Sequence, residues 1–221
     1  MGRFLTFLAV AGCCYLPSPA QSWNSQLLPN VNGKYTPQMV SFAGRTWTTL
    51  LAGTRVLFDG IPAPLVYTSS GQVSALVRYA IAGKSATQVQ VEYLGQRSGA
   101  ASFPIAVTSP GIFKLGDAGG GIGIWVVNQD NTLNSPAHPA TAGDIVVFYA
   151  TGAGQTNPAG VDGSLATAPF PVPTQNLSVT IGGVQANLFY KGAAPFEIAG
   201  LLQVNAVIPT GLAPSDAARL V

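Results

Sequence analysis

A stretch of twelve residues occurs twice in this chain. Val56-Leu57-Phe58-Asp59-Gly60-Ile61-Pro62-Ala63-Pro64-Leu65-Val66-Tyr67 lies over Val179-Thr180-Ile181-Gly182-Gly183-Val184-Gln185-Ala186-Asn187-Leu188-Phe189-Tyr190 at a constant offset of 123 positions (179 − 56). No other feature restricts the fold as strongly, because self-similarity at a fixed spacing means two copies of one supersecondary unit. The unit itself reads as a hairpin. Asp59-Gly60 and Gly182-Gly183 are dipeptides suited to a two-residue turn in which both central residues need φ > 0. The β-branched and aromatic residues on either side fit a pleated, half-buried surface.

The echo continues in both directions. Downstream, QVSALV at 72–77 matches QVNAVI at 203–208 with an offset of 131 (203 − 72), so the second copy carries eight extra residues (131 − 123) within KGAAPFEIAGL. Upstream, PQMVSFAG at 37–44 resembles GDIVVFYA at 143–150 in position and pattern. Between that strand and its hairpin the second copy is again longer, through TNPAGVDGSLATAPFPVPTQ. Insertions confined to Gly-, Ala- and Pro-rich stretches read as loops between duplicated β units. ASFPIAVTSPGIFKL at 101–115 and GIGIWVVNQDNTL at 121–133 add further strand-like runs closed by turn residues. Short strands at this spacing predict sandwiches rather than one parallel sheet. Only SDAARLV near the C-terminus hints at a helical period.

Composition agrees. Of 221 residues 48% are hydrophobic and 8% charged, with 26 Gly and 17 Pro. Gly and Pro oppose helices, and so many apolar residues oppose disorder. The net charge of +2, from 10 basic and 8 acidic residues, is scattered. No basic cluster matches a row of phosphates, which argues against a nucleic-acid partner. At the N-terminus Arg3 precedes the apolar run FLTFLAVAGCCYL at 4–16, followed by Pro17, Ser18, Pro19 and Ala20. This is the order of a secretory signal over residues 1–20, cleaved after Ala20, and the run is too short to span a membrane. Val10-Ala11-Gly12-Cys13 also fits a lipoprotein processing site, which would lipidate Cys13. The expected address is therefore secreted or cell surface. Cleavage after Ala20 removes Cys13 and Cys14, the two cysteines, and leaves a mature chain held by packing alone.

Linked motifs in order, FDGIPAPLVY, PGIFKL, VVNQDNTLNSPAHPATAGD, VFYATGAGQTNPA and VTIGGVQANLFYKGAAPFEIAGLLQVNAVIPTGLAPSDA, resemble an uncharacterised C-terminal domain of secreted proteins from acidobacteria of the Solibacter type. That family is related to IPT/TIG immunoglobulin-like domains. The resemblance covers residues 36–221 and implies a pair of Ig-like β-sandwiches on an exported protein, with no activity attached. The division it suggests is a signal at 1–20, a short segment at 21–35, unit 1 at 36–110, a connecting β segment at 111–141 and unit 2 at 142–221. Unit 1 runs on through TQVQVEYLGQRSGAASFPIAV, whereas unit 2 has no such continuation, so it reads as incomplete. A missing strand leaves an open edge, which predicts a less stable unit 2 or an edge completed by a partner.

Catalytic chemistry finds little support. His138 is the one histidine and lies in the Pro-rich NSPAHPATAG. A Ser-His-Asp site would have to use it, with Asp144 nearby, yet no G-x-S-x-G elbow is present. Thr151-Gly152-Ala153-Gly154 follows a strand but has Asn157 where a dinucleotide loop needs its third Gly, so it reads as a strand-ending turn. Asn128, Asp130, Thr132 and Asn134 alternate oxygen ligands without the Gly and Glu of a calcium loop. Nothing calls for a cofactor or a metal. Trp47 and Trp125, with Tyr67, Tyr93 and Tyr190, are the candidates for ligand stacking, though such residues in sandwiches usually fill the core. The expected function is a non-catalytic module for extracellular binding or spacing, with a protein or polysaccharide partner. The alternative is a carbohydrate-binding module, which requires an exposed planar row of aromatics.

Overall fold

The computed structural model describes residues 38–39, 47–69, 72–113 and 126–212. Residues 1–20, read above as a signal, with Cys13 among them, and Trp125 and SDAARLV lie outside the described residues. The chain is all-β, and among the described residues the only helical turn is a short 3-10 turn at Tyr79–Ile81. No helix among them is long and apolar enough to cross a membrane.

The first unit contains β1 (Gln38–Met39), β2 (Thr54–Phe58), β3 (Ile61–Pro62), β4 (Leu65–Thr68), β5 (Val73–Ala75), β6 (Ala86–Tyr93), β7 (Gln96–Arg97) and β8 (Ala101–Pro104). One sheet runs β3-β2-β6-β7, with β8 also on β6, and the other runs β1-β4-β5. In β6 the buried Thr87, Val89 and Val91 alternate with more exposed neighbours, as period-2 geometry requires. Val89 and Val91 meet Val56, Phe58 and Phe103 from their own sheet and Leu65, Val73 and Ala75 from the facing one. Two sheets closing over one apolar layer make a sandwich.

The second unit contains β9 (Gly111–Ile112), β10 (Val126–Val127), β11 (Ile145–Thr151), β12 (Thr156–Asn157), β13 (Val172–Pro173), β14 (Thr180–Ile181), β15 (Val184–Gln185), β16 (Asn187–Ala193) and β17 (Leu202–Val207). Its larger sheet runs β10-β11-β17-β16, and β9 pairs further along β11. The segment read as a connector therefore supplies two strands to this sheet. Val146, Phe148 and Ala150 of β11 and Leu202, Val204 and Ala206 of β17 pack onto Val179 and Ile181, which belong to or flank the β14-β15 hairpin.

The duplication holds at the level of individual hydrogen bonds. Leu57 opposes Pro62 and Phe58 opposes Ile61, while Thr180 opposes Gln185 and Ile181 opposes Val184. Asp59 and Gly60 have φ of 51° and 80°, and Gly182 and Gly183 have 57° and 83°, the left-handed pair that the turn demands. Ala63 N–H donates to Val56 O at 2.8 Å, and Ala186 N–H donates to Val179 O at 2.9 Å. In β4 the register steps from Leu65↔Ala75 to Tyr67↔Ser74, leaving Val66 as a bulge. In β16 it steps from Leu188↔Ala206 to Tyr190↔Asn205, leaving Phe189 as the matching bulge. These are the two offsets of the sequence repeat, expressed as strand pairing.

The upstream echo is corrected. Gln38–Met39 pair with β4 at Thr68 and Tyr67, whereas Ile145–Ala150 pair with β17, the counterpart of β5. The two segments sit on opposite sides of their sheets. Alternation of apolar residues sets which face is buried, not which neighbouring strand is joined.

Candidate functional site

The most elaborate side-chain arrangement lies where the two units meet, and the inserted segments of unit 2 build it. These segments hydrogen-bond to each other: Ala166 N–H donates to Glu197 O at 2.8 Å, Phe196 N–H to Ala166 O at 2.9 Å and Ala199 N–H to Ser164 O at 2.8 Å. The paired loops then clamp unit 1. Asp162 Oδ2 accepts from Arg78 Nε at 2.9 Å, and its Oδ1 accepts from the Tyr79 backbone N–H at 2.6 Å. Both charged side chains are below one-fifth exposed, at 18% and 19%. Gln155 Nε2 donates to Tyr79 O at 3.1 Å, and Trp47 N–H donates to Gly163 O at 2.8 Å. Around these polar ties Ile198 packs with Leu76, Trp47, Val66 and Leu201.

Tyr79 is the centre of the clamp. Its ring occupies the space beside Gly160, where an added Cβ would fall 2.2 Å from it. Burial, with the nearby Asp162 carboxylate adding to it, pushes the Tyr79 hydroxyl up to about 12. Tyr79 also lines a small cleft with Ala153, Thr156, Pro173, Gly200 and Leu201. The linker is laid against unit 2 as well. A Cβ on Gly152 would lie 1.9 Å from Ser109 O, and one on Gly154 2.5 Å from Val107 O. Close backbone approach is thus the physical reason for the glycines of Thr151-Gly152-Ala153-Gly154, as a strand-ending turn.

The residues singled out from sequence do not converge. Trp47 is half-buried within the junction, where it packs with Leu76 and Ile198. Trp125 and Cys13 lie outside the described residues. Asp144 accepts from the Thr141 N–H at 2.8 Å and from its hydroxyl at 2.7 Å, which holds the carboxyl below its usual range. It is therefore engaged with Thr141. His138 is exposed, and its backbone makes a turn with Ser135. Asn128, Asp130, Thr132 and Asn134 bond to one another: Thr132 Oγ1 donates to Asp130 Oδ1 at 2.6 Å, and Asn134 Nδ2 to Asn128 Oδ1 at 2.9 Å. Among the described residues no group of three or more His, Cys, Asp or Glu could hold a metal ion.

Two aromatics that sequence reading passed over are exposed. Phe189, the bulge residue, is 75% exposed, and Phe196 is 69% exposed. Phe196 meets Phe170 edge-to-face, with centroids 5.6 Å apart and planes at 89°. Its counterpart in the repeat, Val66, is packed in the junction, whereas among the described residues Phe189 has no such covering.

No family model matches the chain, and neither curated proteins nor solved structures yielded a match.

Proposed function

We propose that this chain is an exported, non-catalytic module of two immunoglobulin-like, IPT/TIG-related sandwiches that binds an extracellular or cell-surface partner through apolar contacts while holding fixed spacing. The observation that carries this reading is the exposure of Phe189 at a position whose repeat counterpart is covered. Large exposed apolar side chains suit contact with a protein partner. Phe170 and Phe196 stand perpendicular, so they do not form the coplanar platform that stacking on sugar rings requires. Export rests on the segment at 1–20 and on the resemblance of 36–221 to modules of secreted proteins.

A depletion assay tests the proposal. Purified residues 21–221 are mixed with insoluble polysaccharides and, separately, with whole bacterial cells, and the unbound protein is measured. Depletion by cells that Phe189→Ser abolishes is the expected result. Depletion by one polysaccharide, unaffected by that substitution, overturns it in favour of a carbohydrate-binding module.

A further inference from the structure

One end of unit 1 carries exposed leucines on two adjoining turns. β8 ends at Pro104 opposite Ala86, the first residue of β6, so the chain leaves unit 1 at that end. The turns lie at the other end of β6. Ala52-Gly53 joins Leu51 to Thr54, whose backbone groups bond to each other at 2.9 and 3.0 Å. Leu94-Gly95 joins Tyr93 to Gln96, between β6 and β7. Leu94 N–H donates to Gly53 O at 2.9 Å, and a Cβ on Gly53 would fall 2.8 Å from Leu94 Cδ2, so the two turns form one surface. Leu94 is 72% exposed. Leu50 is 47% exposed, and Thr48 Oγ1 fixes it by accepting from its N–H at 3.1 Å and donating to its O at 2.8 Å.

Stability does not explain the choice of residues. Ala52 and Leu94 have φ of 47° and 48°. A bulky side chain enters this left-handed region at a cost, whereas Asn, Asp or Gly occupies it readily. The same place in the turn between β2 and β3 is held by Asp59, at φ 51°. Strain kept at an exposed apolar residue is a mark of function. Among the described residues a Cβ on Gly95 would meet nothing within 4 Å, so the space around this turn is open.

Charge indicates what the leucines meet. Arg55, Glu92 and Arg97 form a cross-strand row on β2, β6 and β7. Arg55 Nη1 lies 3.0 Å from Glu92 Oε1, and Arg97 Nε lies 2.9 Å from Glu92 Oε2. The arginine side chains are 39% and 53% exposed and the glutamate 11%, so the row presents positive charge to the outside. Leu94 lies two residues beyond Glu92, about 7 Å along a strand that rises about 3.4 Å per residue. Apolar faces of surface-bound segments enter a bilayer to a similar depth, roughly 5–10 Å. A standard protein interface takes on the order of 800 Å² from each partner, far more than two leucines provide. We propose that the turns at 51–54 and 93–96 rest on an anionic lipid surface, with Leu50 and Leu94 among the outer acyl carbons and Arg55 and Arg97 at the phosphates. The contact is reversible, because two leucines bury less than one acyl chain and each arginine adds only a modest attraction. This surface is separate from Phe189 and does not depend on the role given to that residue.

The test uses residues 21–221, which lack the apolar run at 4–16 that would itself enter a bilayer. The protein is sedimented with vesicles of phosphatidylcholine alone or of phosphatidylcholine mixed with phosphatidylglycerol. The expected result is saturable binding to the anionic vesicles that salt weakens, with little binding to phosphatidylcholine alone. Leu94→Asn is expected to weaken binding about tenfold, the loss for one buried leucine. Its unfolding temperature is expected to equal or exceed that of the parent, because Asn-Gly suits the turn. Arg97→Gln is expected to weaken binding to the anionic vesicles about fivefold. Phe189→Ser is expected to leave vesicle binding unchanged. Four results would overturn the proposal: no sedimentation with either vesicle, binding indifferent to phosphatidylglycerol, binding unchanged in Leu94→Asn, or a lowered unfolding temperature in that variant, which would mean that Leu94 serves the fold. Loss of depletion by cells in Leu94→Asn without any vesicle binding would also overturn it, in favour of a protein receptor at the same turns. Because Phe189→Ser is read on cells and Leu94→Asn on vesicles, either proposal can fail while the other stands.

Discussion

Val66 and Phe189 occupy the same bulge in two copies of one hairpin, yet Val66 packs among Leu76, Trp47 and Ile198 while Phe189 is 75% exposed. A second pair diverges likewise. Thr68 and Thr54 are buried with their hydroxyls 3.4 Å apart. Their counterparts are Lys191 and Leu177, where an exposed ammonium reaches the Leu177 carbonyl at 3.4 Å. The two units share a backbone register and differ in what covers it. Unit 1 is enclosed by β6 on one side and by the loops of unit 2 on the other. Equal backbones therefore do not imply equal stability, because burial of apolar surface supplies most of the favourable free energy.

The largest test of this contrast compares core truncations. Phe58→Ala in the unit 1 core is expected to cost about 3–5 kcal/mol, whereas Ile181→Ala, which removes the smaller side chain at the matching position, costs about 2 kcal/mol. Urea unfolding of both variants measures it, and equal costs would break the comparison. Alkaline pH addresses the junction next. The folded chain keeps the Tyr79 hydroxyl protonated up to about 12, whereas the unfolded chain releases that proton near the usual tyrosine value of about 10. Stability from this group is complete below the unfolded value and falls as pH rises through the folded one, by on the order of 3 kcal/mol. Tyr79→Phe is expected to remove that part of the decline, which unfolding across this pH range in both proteins reports.

Asp162→Asn is expected to cost about 2 kcal/mol, because it leaves the Arg78 guanidinium mostly buried without its counter-charge. The loss should separate the unfolding of the two units, seen as two transitions where the parent shows one. The smallest expected effects sharpen the comparison best. Val66→Ser should cost about 1–2 kcal/mol and Phe189→Ser less than about 0.5 kcal/mol, since only the first removes a packed side chain. Thermal unfolding of the pair distinguishes them, and a similar loss at Phe189 would mean that its face is covered in the folded protein.

Much of the hairpin architecture was legible in the sequence because its signals are local. Asp59-Gly60 and Gly182-Gly183 specify their turns through φ, and the offsets of 123 and 131 carry the register of every paired residue beyond them, the bulges included. The role of the inserted segments was not legible. TNPAGVDGSLATAPFPVPTQ and KGAAPFEIAGL have the composition of loops, and loops they are, but Asp162 meets Arg78 across 84 positions. Nothing in either neighbourhood marks the partner at such a distance. Trp47 shows the same limit: composition identifies an aromatic suited to stacking, and only the docking of Ile198 determines that it is half-buried at the junction. The placement of Gln38–Met39 failed for a related reason, since a strand pattern is silent about which edge it joins.

The linker between the units has one more consequence. Ser109 N–H donates to Gly152 O at 2.9 Å, and Gly111–Ile112 pair directly with β11. A protease must draw an extended, unbonded stretch of chain into its active-site cleft, and connections between modules are its usual point of entry. Here that connection is strapped along unit 2 and shares its hydrogen bonds. Digestion is therefore expected to spare the joint while the sandwich is folded, so that nicking between the units reports the opening of unit 2 itself.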